Sequence, residues 1–325
     1  MDAGLSYLAE LLVDFGNATI GPNSRLWPGY ILIFVLMAYA VFRYEGCKRD
    51  FLKFLFPKEV YFTKSALTDV KLFLSIAFLQ TVGLFNSVVS NSLVAVWVAS
   101  FFVAPDTNHV EAHPLLVAAV FFVAADFNTY ITHRWHHRFE PLWFFHAVHH
   151  SAEELNPISA FRIHPVETLI YQATRGILFG ITEGLLLALF FGPLSLATLV
   201  GVNTLIFVYS ALGSNLRHSH IWLSYGPYLS YLLISPAMHQ IHHSTDPKHY
   251  DKNYGGALAI FDWIYGTLYI PKEKETLQFG LVNQRGERFQ PHNGLAESWI
   301  VPFVHLSRWL KSKRKEKSPI TLKQP

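Results

Sequence analysis

Long apolar stretches dominate the hydrophobic pattern of this chain. A helix that crosses a membrane needs about 20 mostly apolar residues, with about 17–25 as the usual range. One such stretch could be a buried helix of a large soluble domain, but five in one chain favour insertion into a bilayer. The pattern therefore predicts an all-α fold, a polytopic bundle of membrane helices. The predicted membrane segments are residues 26–42, 72–103, 114–132, 176–191 and 194–212.

The loops between these segments carry their charge unevenly. Basic residues crowd into 43–64 and 308–317, whereas the loop 105–113 is acidic and holds no lysine or arginine. Because cytosolic loops are enriched in lysine and arginine, the basic segments are expected in the cytosol. The prediction is an N-terminus outside, five crossings and a C-terminus inside. In this arrangement 72–103 forms one tilted or broken helix, or one span plus a re-entrant piece.

The composition agrees with this class of protein, since 51% of the residues are hydrophobic and only 15% are charged, against about 25% charged in an ordinary soluble domain. Disordered, coiled-coil and nucleic-acid-binding chains need more charge, so no nucleic-acid partner is expected. The single cysteine, Cys47, cannot form an internal disulfide, which excludes a disulfide-stapled secreted fold. The first 24 residues lack a basic stretch ahead of an apolar one, so no cleavable signal peptide is expected.

Histidine is over-represented, with 17 copies where a chain of this length usually holds about 7. Three clusters stand out: HRWHH at 133–137, HAVHH at 146–150 and HQIHH at 239–243. Residues three and four apart share one face of a helix, so each cluster is expected to present two or three imidazoles toward one point. Eight such ligands exceed what one ion binds, and the spacing therefore predicts two metal ions. The eight are His133, His137, His146, His149, His150, His239, His242 and His243.

The absence of several known motifs excludes some kinds of metal site. It has no His-Glu-x-x-His string of the zinc proteases, and one cysteine cannot build a Cys/His zinc module. The histidine-rich regions also lack the Glu-x-x-His pairs of carboxylate-bridged diiron bundles. What remains is an all-histidine dinuclear site near the cytosolic interface. The residues alone are compatible with either iron or zinc. They are also compatible with three function classes: an oxygenase, a membrane zinc-dependent lipid hydrolase, and a metal transporter or sensor.

The histidine clusters belong to a longer series of strings: HRWHH, LWFFHAVHHS, NPISAFRIHP, RHSHI, HQIHHSTD, DKNYGG and FDWIYGT. In this order they resemble the fatty acid hydroxylase/sterol desaturase superfamily. The resemblance covers about residues 126–267, with membrane helices on its N-terminal side as the family has. It implies a membrane-bound, non-haem diiron enzyme that uses O2 and two electrons to hydroxylate or desaturate a lipid. Hydroxylation is favoured because it needs one C–H cleavage rather than two.

The resemblance also implies roles for particular residues. The eight histidines above match the three family boxes as metal ligands, and His218, in RHSHI, matches a further histidine ligand. Metal-bound imidazoles usually donate their second N–H to an oxygen, so polar side chains near the boxes are expected to support the ligands. Asp126, for example, lies seven residues, about two helical turns, before His133. The supporting candidates are Asp126, His136, Asn156, His164, His220, Asp246, Asn253 and Asp262.

The electrons must come from another protein, because the chain has neither a GxGxxG dinucleotide fingerprint nor the HPGG string of a cytochrome b5 domain. A cytochrome b5, a ferredoxin or a reductase is the expected donor, and Arg138, Lys248 and Lys252 offer it a basic face. The other expected partners are the lipid substrate and the membrane lipid itself. The expected location is the bacterial inner membrane or the endoplasmic reticulum, with the active site on the cytosolic face.

Three regions are expected along the chain. Residues 1–113 hold the N-terminal membrane helices and their loops. Residues 114–270 form the histidine-box catalytic domain, which includes a membrane hairpin at 176–212 and a cytosolic helical cap carrying the metal site. Residues 271–325 form a basic cytosolic tail.

Overall fold

The computed structural model of the protein describes residues 2–22, 24–85, 89–102, 113–191, 204–205, 207–209, 211, 213–283 and 285–315. These residues are mostly helical, as the apolar pattern predicts. A small antiparallel hairpin of β1 Leu281–Val282 and β2 Arg288–Phe289 is added to the helices. The helices are α1 Asp2–Ile20, α2 Pro28–Tyr44, α3 Phe51–Leu55, α4 Lys58–Tyr61, α5 Lys64–Thr81, α6 Asn91–Ala99, α7 Pro114–Arg138, α8 Glu140–His150, α9 Pro165–Leu186, α10 Ser214–Arg217, α11 Gly226–Leu229, α12 Pro236–His242, α13 Ile260–Ile264 and α14 Leu295–Lys315.

Within the described part of the chain, two helices are long and apolar enough to cross a membrane. α7 has 25 residues, and α9 together with the π-helical turn Leu187–Phe191 has 27. Only 39% and 22% of their most apolar windows are buried inside the protein. Apolar surface left uncovered on this scale calls for a lipid environment. The two helices therefore indicate a membrane protein, and they contain the predicted segments 114–132 and 176–191.

The other three predicted membrane segments differ in how well they match the helices of the structure. Residues 26–42 correspond to α2, an apolar helix of 17 residues. Residues 72–103 do not form one continuous helix, because α5 ends at Thr81 and α6 covers nine residues, about 14 Å. α6 is too short to cross a bilayer. Residues 194–212 lie mainly outside the described part of the chain. The apolar pattern also does not predict helix α1, which packs on α5.

A glycine stripe brings α9 into close contact with α6. Gly176, Gly180 and Gly184 are four residues apart and buried. A Cβ atom at each would lie 2.4, 2.7 and 2.6 Å from the backbone carbonyl oxygens of Val89, just before α6, and of Asn91 and Ala95 within it. Small residues at this spacing let two helices approach closely within a membrane. On the neighbouring turn Glu183 accepts a hydrogen bond of 2.8 Å from Asn91 Nδ2, which gives this acidic side chain a partner.

Arg162 joins three parts of the chain at a fully buried point. Its guanidinium lies 2.9 Å from Oδ1 of Asp69 on α5, and it donates to the carbonyl oxygens of Val148 on α8 and His292 before α14. A buried ion pair is stable only where its remaining hydrogen bonds are also satisfied. These contacts therefore fix α5, α8 and the C-terminal region to one another.

The C-terminal region also packs directly on α8. Trp143, Phe144 and Ala147 of α8 form a buried cluster with Leu281 of β1, and the side chain of Trp309 on α14 packs against it. Trp309 further donates its indole N–H to Glu140. The helix that carries HAVHH is thus enclosed on its outer side by β1 and α14.

Candidate metal centre

Three helices and one helix end bring the histidines together. α7 continues six residues beyond its predicted segment, so His133 and His137 lie on its last two turns. α8 follows after Phe139 and carries HAVHH at its C-terminal end. His218 is the residue that ends α10. HQIHH lies on α12, whose N-terminus is capped by the hydroxyl of Ser235.

All nine predicted ligands fall into two groups, and in each group the ligand atoms lie within 4.8 Å of one another. Both groups consist of histidines only. They also touch, because the rings of His150 and His243 stack with their centroids 4.4 Å apart. The first group is His133, His137, His146, His150 and His242, and the second is His149, His218, His239 and His243.

Each HxxHH cluster contributes to both groups, which differs from the expectation that a cluster points at one ion. Neighbouring residues on a helix are about 100° apart, so adjacent imidazoles diverge. On α8, His150 belongs to the first group and His149 to the second. On α12, His242 belongs to the first group and His243 to the second. Helices α8 and α12 each supply ligands to both groups, so the two groups form a single site.

The nitrogen positions in the first group fit one metal ion. Nε2 of His146 lies 3.0 Å from Nε2 of His137 and 3.2 Å from Nε2 of His150. Imidazoles bound side by side to one ion through bonds of about 2.1 Å have their nitrogens about 3 Å apart. Nε2 of His242 is buried and has no hydrogen-bond partner among the described residues. A cation shared by these nitrogens satisfies atoms that are otherwise left facing one another.

The second group repeats this arrangement. Nε2 of His239 lies 3.0 Å from Nε2 of His218 and 3.2 Å from Nε2 of His243. Burial, reinforced by neighbouring imidazoles, lowers the pKa of all three side chains well below its usual range. They are therefore neutral at pH 7, and the neutral imidazole is the form that binds a metal.

Two side chains hold ligand imidazoles by the nitrogen that faces away from the group. The Nδ1–H of His146 donates to Oε1 of Glu167 at 2.6 Å, and the Nδ1–H of His218 donates to Oγ of Ser159 at 3.1 Å. Asn156 supports this second contact, because its Oδ1 accepts the backbone N–H of Ser159. Such contacts fix both the ring orientation and the tautomer, leaving Nε2 free for the metal.

Two further ligands are held by backbone carbonyls of one loop. His133 donates its Nδ1–H to Tyr254 at 2.9 Å, and His242 donates its Nδ1–H to Lys252 at 2.8 Å. Asp262 accepts the N–H of Tyr254, and Asn253, between the two carbonyls, donates to the backbone of α12 at Met238. Asp262 and Asn253 thus act on the loop that orients ligands, without touching the ligand rings by hydrogen bonds.

Asp126 ties a neighbouring stretch of the same loop to α7. Its two carboxylate oxygens accept the backbone N–H groups of Ala257 and Leu258 at 2.7 and 2.8 Å. It is two turns before His133, as predicted from the spacing, but its partner is the loop rather than the imidazole. Its carboxylate therefore positions the loop backbone.

The structure places the other four supporting candidates outside both groups. His136 donates to the carbonyl of Thr132 in its own helix, and His220 donates to the carbonyl of Phe54. His164 caps α9 and donates to the carbonyl of Trp299 on α14. Asp246 caps the turn that follows α12. None of these hydrogen bonds, among the residues described, reaches a ligand.

A cavity of about 420 Å³ opens beside the two groups. It is lined by one imidazole of the first group, His133, and by three of the second, His149, His218 and His239. Its other walls include residues 122–129 of α7 and residues 171–175 of α9. The cavity therefore extends from the metal-binding nitrogens toward the middle of the two candidate membrane helices.

Sequence reasoning missed Glu167 and Ser159. Glu167 stands three residues after His164, in the first turn of α9, and Ser159 lies in the string NPISAFRIHP. A carboxylate two residues after the family-like RIHP string was a usable signal. Its contact with His146 depends on the return of α9 along α7 and α8, which the spacing of residues does not reveal.

Comparison with known proteins agrees with this site. The sequence profile of the fatty acid hydroxylase family matches residues 118–267, the stretch that contains all nine histidines. Over this stretch the chain is similar to the fatty acid hydroxylase family.

Several curated proteins are similar to about half of the chain. The alkylglycerol monooxygenase of Danio rerio is 29% identical over 57% of this chain and 35% of its own length. The ornithine lipid hydroxylase OlsE of Rhizobium tropici is 31% identical over 51% of this chain and 46% of its own length. A putative Delta(7)-sterol-C5(6)-desaturase of Arabidopsis thaliana is 29% identical over 49% and 53%. The chain thus spans about half or less of these relatives, and no solved structure matches it at a comparable level.

Proposed function

We propose that the protein is a membrane-bound non-haem diiron oxygenase that hydroxylates a C–H bond of a lipid. The balanced reaction takes the lipid C–H, O2, two electrons and two protons to the alcohol and one water. The observation that carries the proposal is the pair of all-histidine groups, five and four imidazoles, facing one cavity. Desaturation of the same lipid is the variant in which a second hydrogen is removed.

Iron is the metal we assign to both groups, since imidazole suits Fe and the related proteins include a monooxygenase and a hydroxylase. When bound, iron supplies the activation of O2. The residues of the chain hold the ligands in fixed tautomers, through Glu167, Ser159 and the carbonyls of Lys252 and Tyr254. They also bury the reacting region, since His137, His146, His150 and His243 are each less than 5% exposed.

The position of the cavity supports a lipid substrate. Its walls on α7 and α9 lie away from the helix ends that carry His133 and Glu167, toward the apolar middle of both helices. A lipid can thus reach the site from the apolar middle of the two helices. Phe122, Tyr171 and Tyr209 line this approach.

We further propose a multi-pass arrangement with the metal groups at the cytosolic face and a separate electron donor. The basic face expected to receive the donor is partly neutralised: Arg138 lies 3.5 Å from Asp251, and Lys248 lies 2.6 Å from Glu275. Steering of an acidic carrier by these residues is therefore weaker than the sequence suggests.

Metal analysis after anaerobic purification tests the proposal. We expect about two irons per chain, together with O2-dependent consumption of electrons supplied by a chemical reductant. Comparative lipidomics of cells with and without the gene should show a lipid that gains one oxygen, or loses two hydrogens if the enzyme desaturates. Bound zinc with lipid turnover under argon would overturn the proposal in favour of a hydrolase.

A further inference from the structure

The cavity beside the metal groups is lined by three arginines, Arg25, Arg175 and Arg217. No carboxylate forms an ion pair with any of them within the described part of the chain. Asp126 is the acidic residue in the same wall, and both its oxygens already accept backbone N–H groups. The cavity therefore has an excess of positive charge.

Arg217 is the most buried of the three, at 6% exposed. Its two terminal nitrogens donate to the carbonyls of Gly256 and Ile234, and its plane lies over the ring of Tyr209 at 4.7 Å. The Nε atom is buried without a hydrogen-bond partner among the described residues. A buried guanidinium N–H that is not hydrogen bonded is costly, and an anion in the cavity would satisfy it.

The guanidinium groups of the other two arginines make fewer hydrogen bonds to the described residues. To the residues described, the Arg25 side chain makes one long hydrogen bond, 3.4 Å to the carbonyl of Ser214. Arg175 lies ten residues into α9, a candidate membrane helix, and no hydrogen bond to a described residue occupies its guanidinium. An arginine within a membrane helix is expensive and usually serves a polar ligand or a cavity.

An apolar slot of about 290 Å³ adjoins the arginine-lined cavity. The two share Phe122 and Tyr209 as wall residues, and the slot is otherwise lined by side chains such as Met37, Val208 and Leu233. A cationic cavity beside the metal groups thus lies next to an apolar slot, with Phe122 and Tyr209 in the walls of both. The pair matches the polarity of an amphipathic molecule with one anionic end.

We propose that the cavity selects lipids whose polar end carries an anion, a carboxylate or a phosphate, held by Arg25, Arg175 and Arg217 with the hydrocarbon chain in the apolar slot. The proposal rests on the proposed function, since it names the substrate class of that same site. The proposal goes beyond that function by predicting that the charge at the polar end of the lipid, rather than chain length alone, decides binding.

Equilibrium binding to the purified full chain in neutral detergent tests this without requiring turnover. The probes are two matched pairs: oleate with oleyl alcohol, and 1-oleoyl lysophosphatidate with monoolein. We expect the anionic member of at least one pair to bind at least tenfold more tightly than its neutral partner. The pair with the larger ratio identifies carboxylate or phosphate as the preferred anion, and equal binding within both pairs would overturn the proposal.

Variants assign the effect to the arginines. Arg175→Gln and Arg25→Gln should each weaken anionic-probe binding at least tenfold and leave neutral-probe binding unchanged, whereas Arg175→Lys should retain most of the preference. Arg308→Gln, at an exposed position on α14, removes the same charge outside the cavity and should change neither. A charge preference that survives both glutamine variants would overturn the assignment. Because binding is read without O2, failure here is distinct from a lack of iron or of oxygenase turnover.

Discussion

Oε1 of Glu167 lies 2.6 Å from Nδ1 of His146, and both residues are buried, at 7% and 4% exposed. The contact joins the first turn of α9 to the helix that supplies ligands to both metal groups. A carboxylate at this distance accepts the imidazole N–H and makes Nε2 a stronger ligand. The first metal group is thus supported from a candidate membrane helix as well as from the loop that follows α12.

Replacement of Glu167 should weaken metal binding in the first group. Glu167→Ala removes the carboxylate that orients His146, and loss of such a partner typically costs about 10–100-fold in metal affinity. Glu167→Gln keeps an oxygen acceptor but not the charge, so a smaller loss is expected. Iron titration of the apo-protein measures the effect.

Glu183→Gln is the matched control for Glu167. It lies on the same helix, but its partner is Asn91 and it touches no histidine of either group. Iron affinity should stay at the wild-type value in this variant. Equal iron affinity in Glu167→Ala and wild type would refute the supporting role of Glu167.

The adjacent residues His149 and His150 should affect different metal ions. Each alanine substitution removes one ligand from one group, because His149 belongs to the second group and His150 to the first. We expect iron to fall from about two to about one per chain in either variant, and O2-dependent turnover to be abolished in both. Iron analysis combined with Mössbauer spectroscopy distinguishes which ion remains.

Two controls test this interpretation. His136→Ala should keep about two irons, since His136 donates to Thr132 and belongs to neither group. Insertion into membranes should be unchanged in all three variants. If His149→Ala and His150→Ala lost the same ion, the division into two groups would be wrong.

Spacing along the chain was sufficient to select eight of the nine histidines that the fold brings together, and the ninth, His218, came from the family resemblance. An HxxHH string on a helix must place its imidazoles within two turns, whatever else the chain does, so the existence of a histidine site is a local property. The sharing of each string between two groups follows from the same geometry, since His242 and His243 diverge by about 100°. The spacing of three and four residues accounts for a shared helix face but not for the divergence of the adjacent pair.

The supporting contacts could not be predicted in the same way. Asp126 has the right periodicity to face His133, yet its oxygens bind the N–H groups of Ala257 and Leu258, more than 130 residues away along the chain. Glu167 reaches His146 only because α9 returns along α7 and α8. Such partners depend on tertiary packing, which a period of 3.6 residues does not encode.

The glycine stripe between α6 and α9 makes a prediction about stability. In Gly180→Leu the new Cβ would lie 2.7 Å from the carbonyl oxygen of Asn91, and the helices would have to separate. Overpacking of this kind typically costs about 1–3 kcal/mol, so the free energy of unfolding in mixed micelles should fall by about that amount. Gly16→Leu on α1, where a Cβ meets nothing within 4 Å, should show no such loss, since leucine favours a helix more than glycine does. Comparable losses in both variants would show that the close contact is not responsible.

Buried His292 should make the protein sensitive to acid. Burial, with the neighbouring Arg162 guanidinium as a second cause, lowers the pKa of His292 to about 3, against an ordinary value of about 6.5. As the pH falls below about 6.5, the unfolded chain takes up a proton that the folded protein does not, so stability is lost in this window and unaffected above it.

The size of this loss can be measured with one substitution. A single such group contributes up to about 1.4 kcal/mol per pH unit, or about 2 kcal/mol between about pH 6.5 and about pH 5. His292→Gln should reduce the decline in unfolding free energy over this range by about that amount. His113→Asn, an exposed helix cap whose replacement also caps well, should keep the wild-type decline. If the wild type and His292→Gln lost stability in parallel, His292 would not be the group that takes up the proton on unfolding.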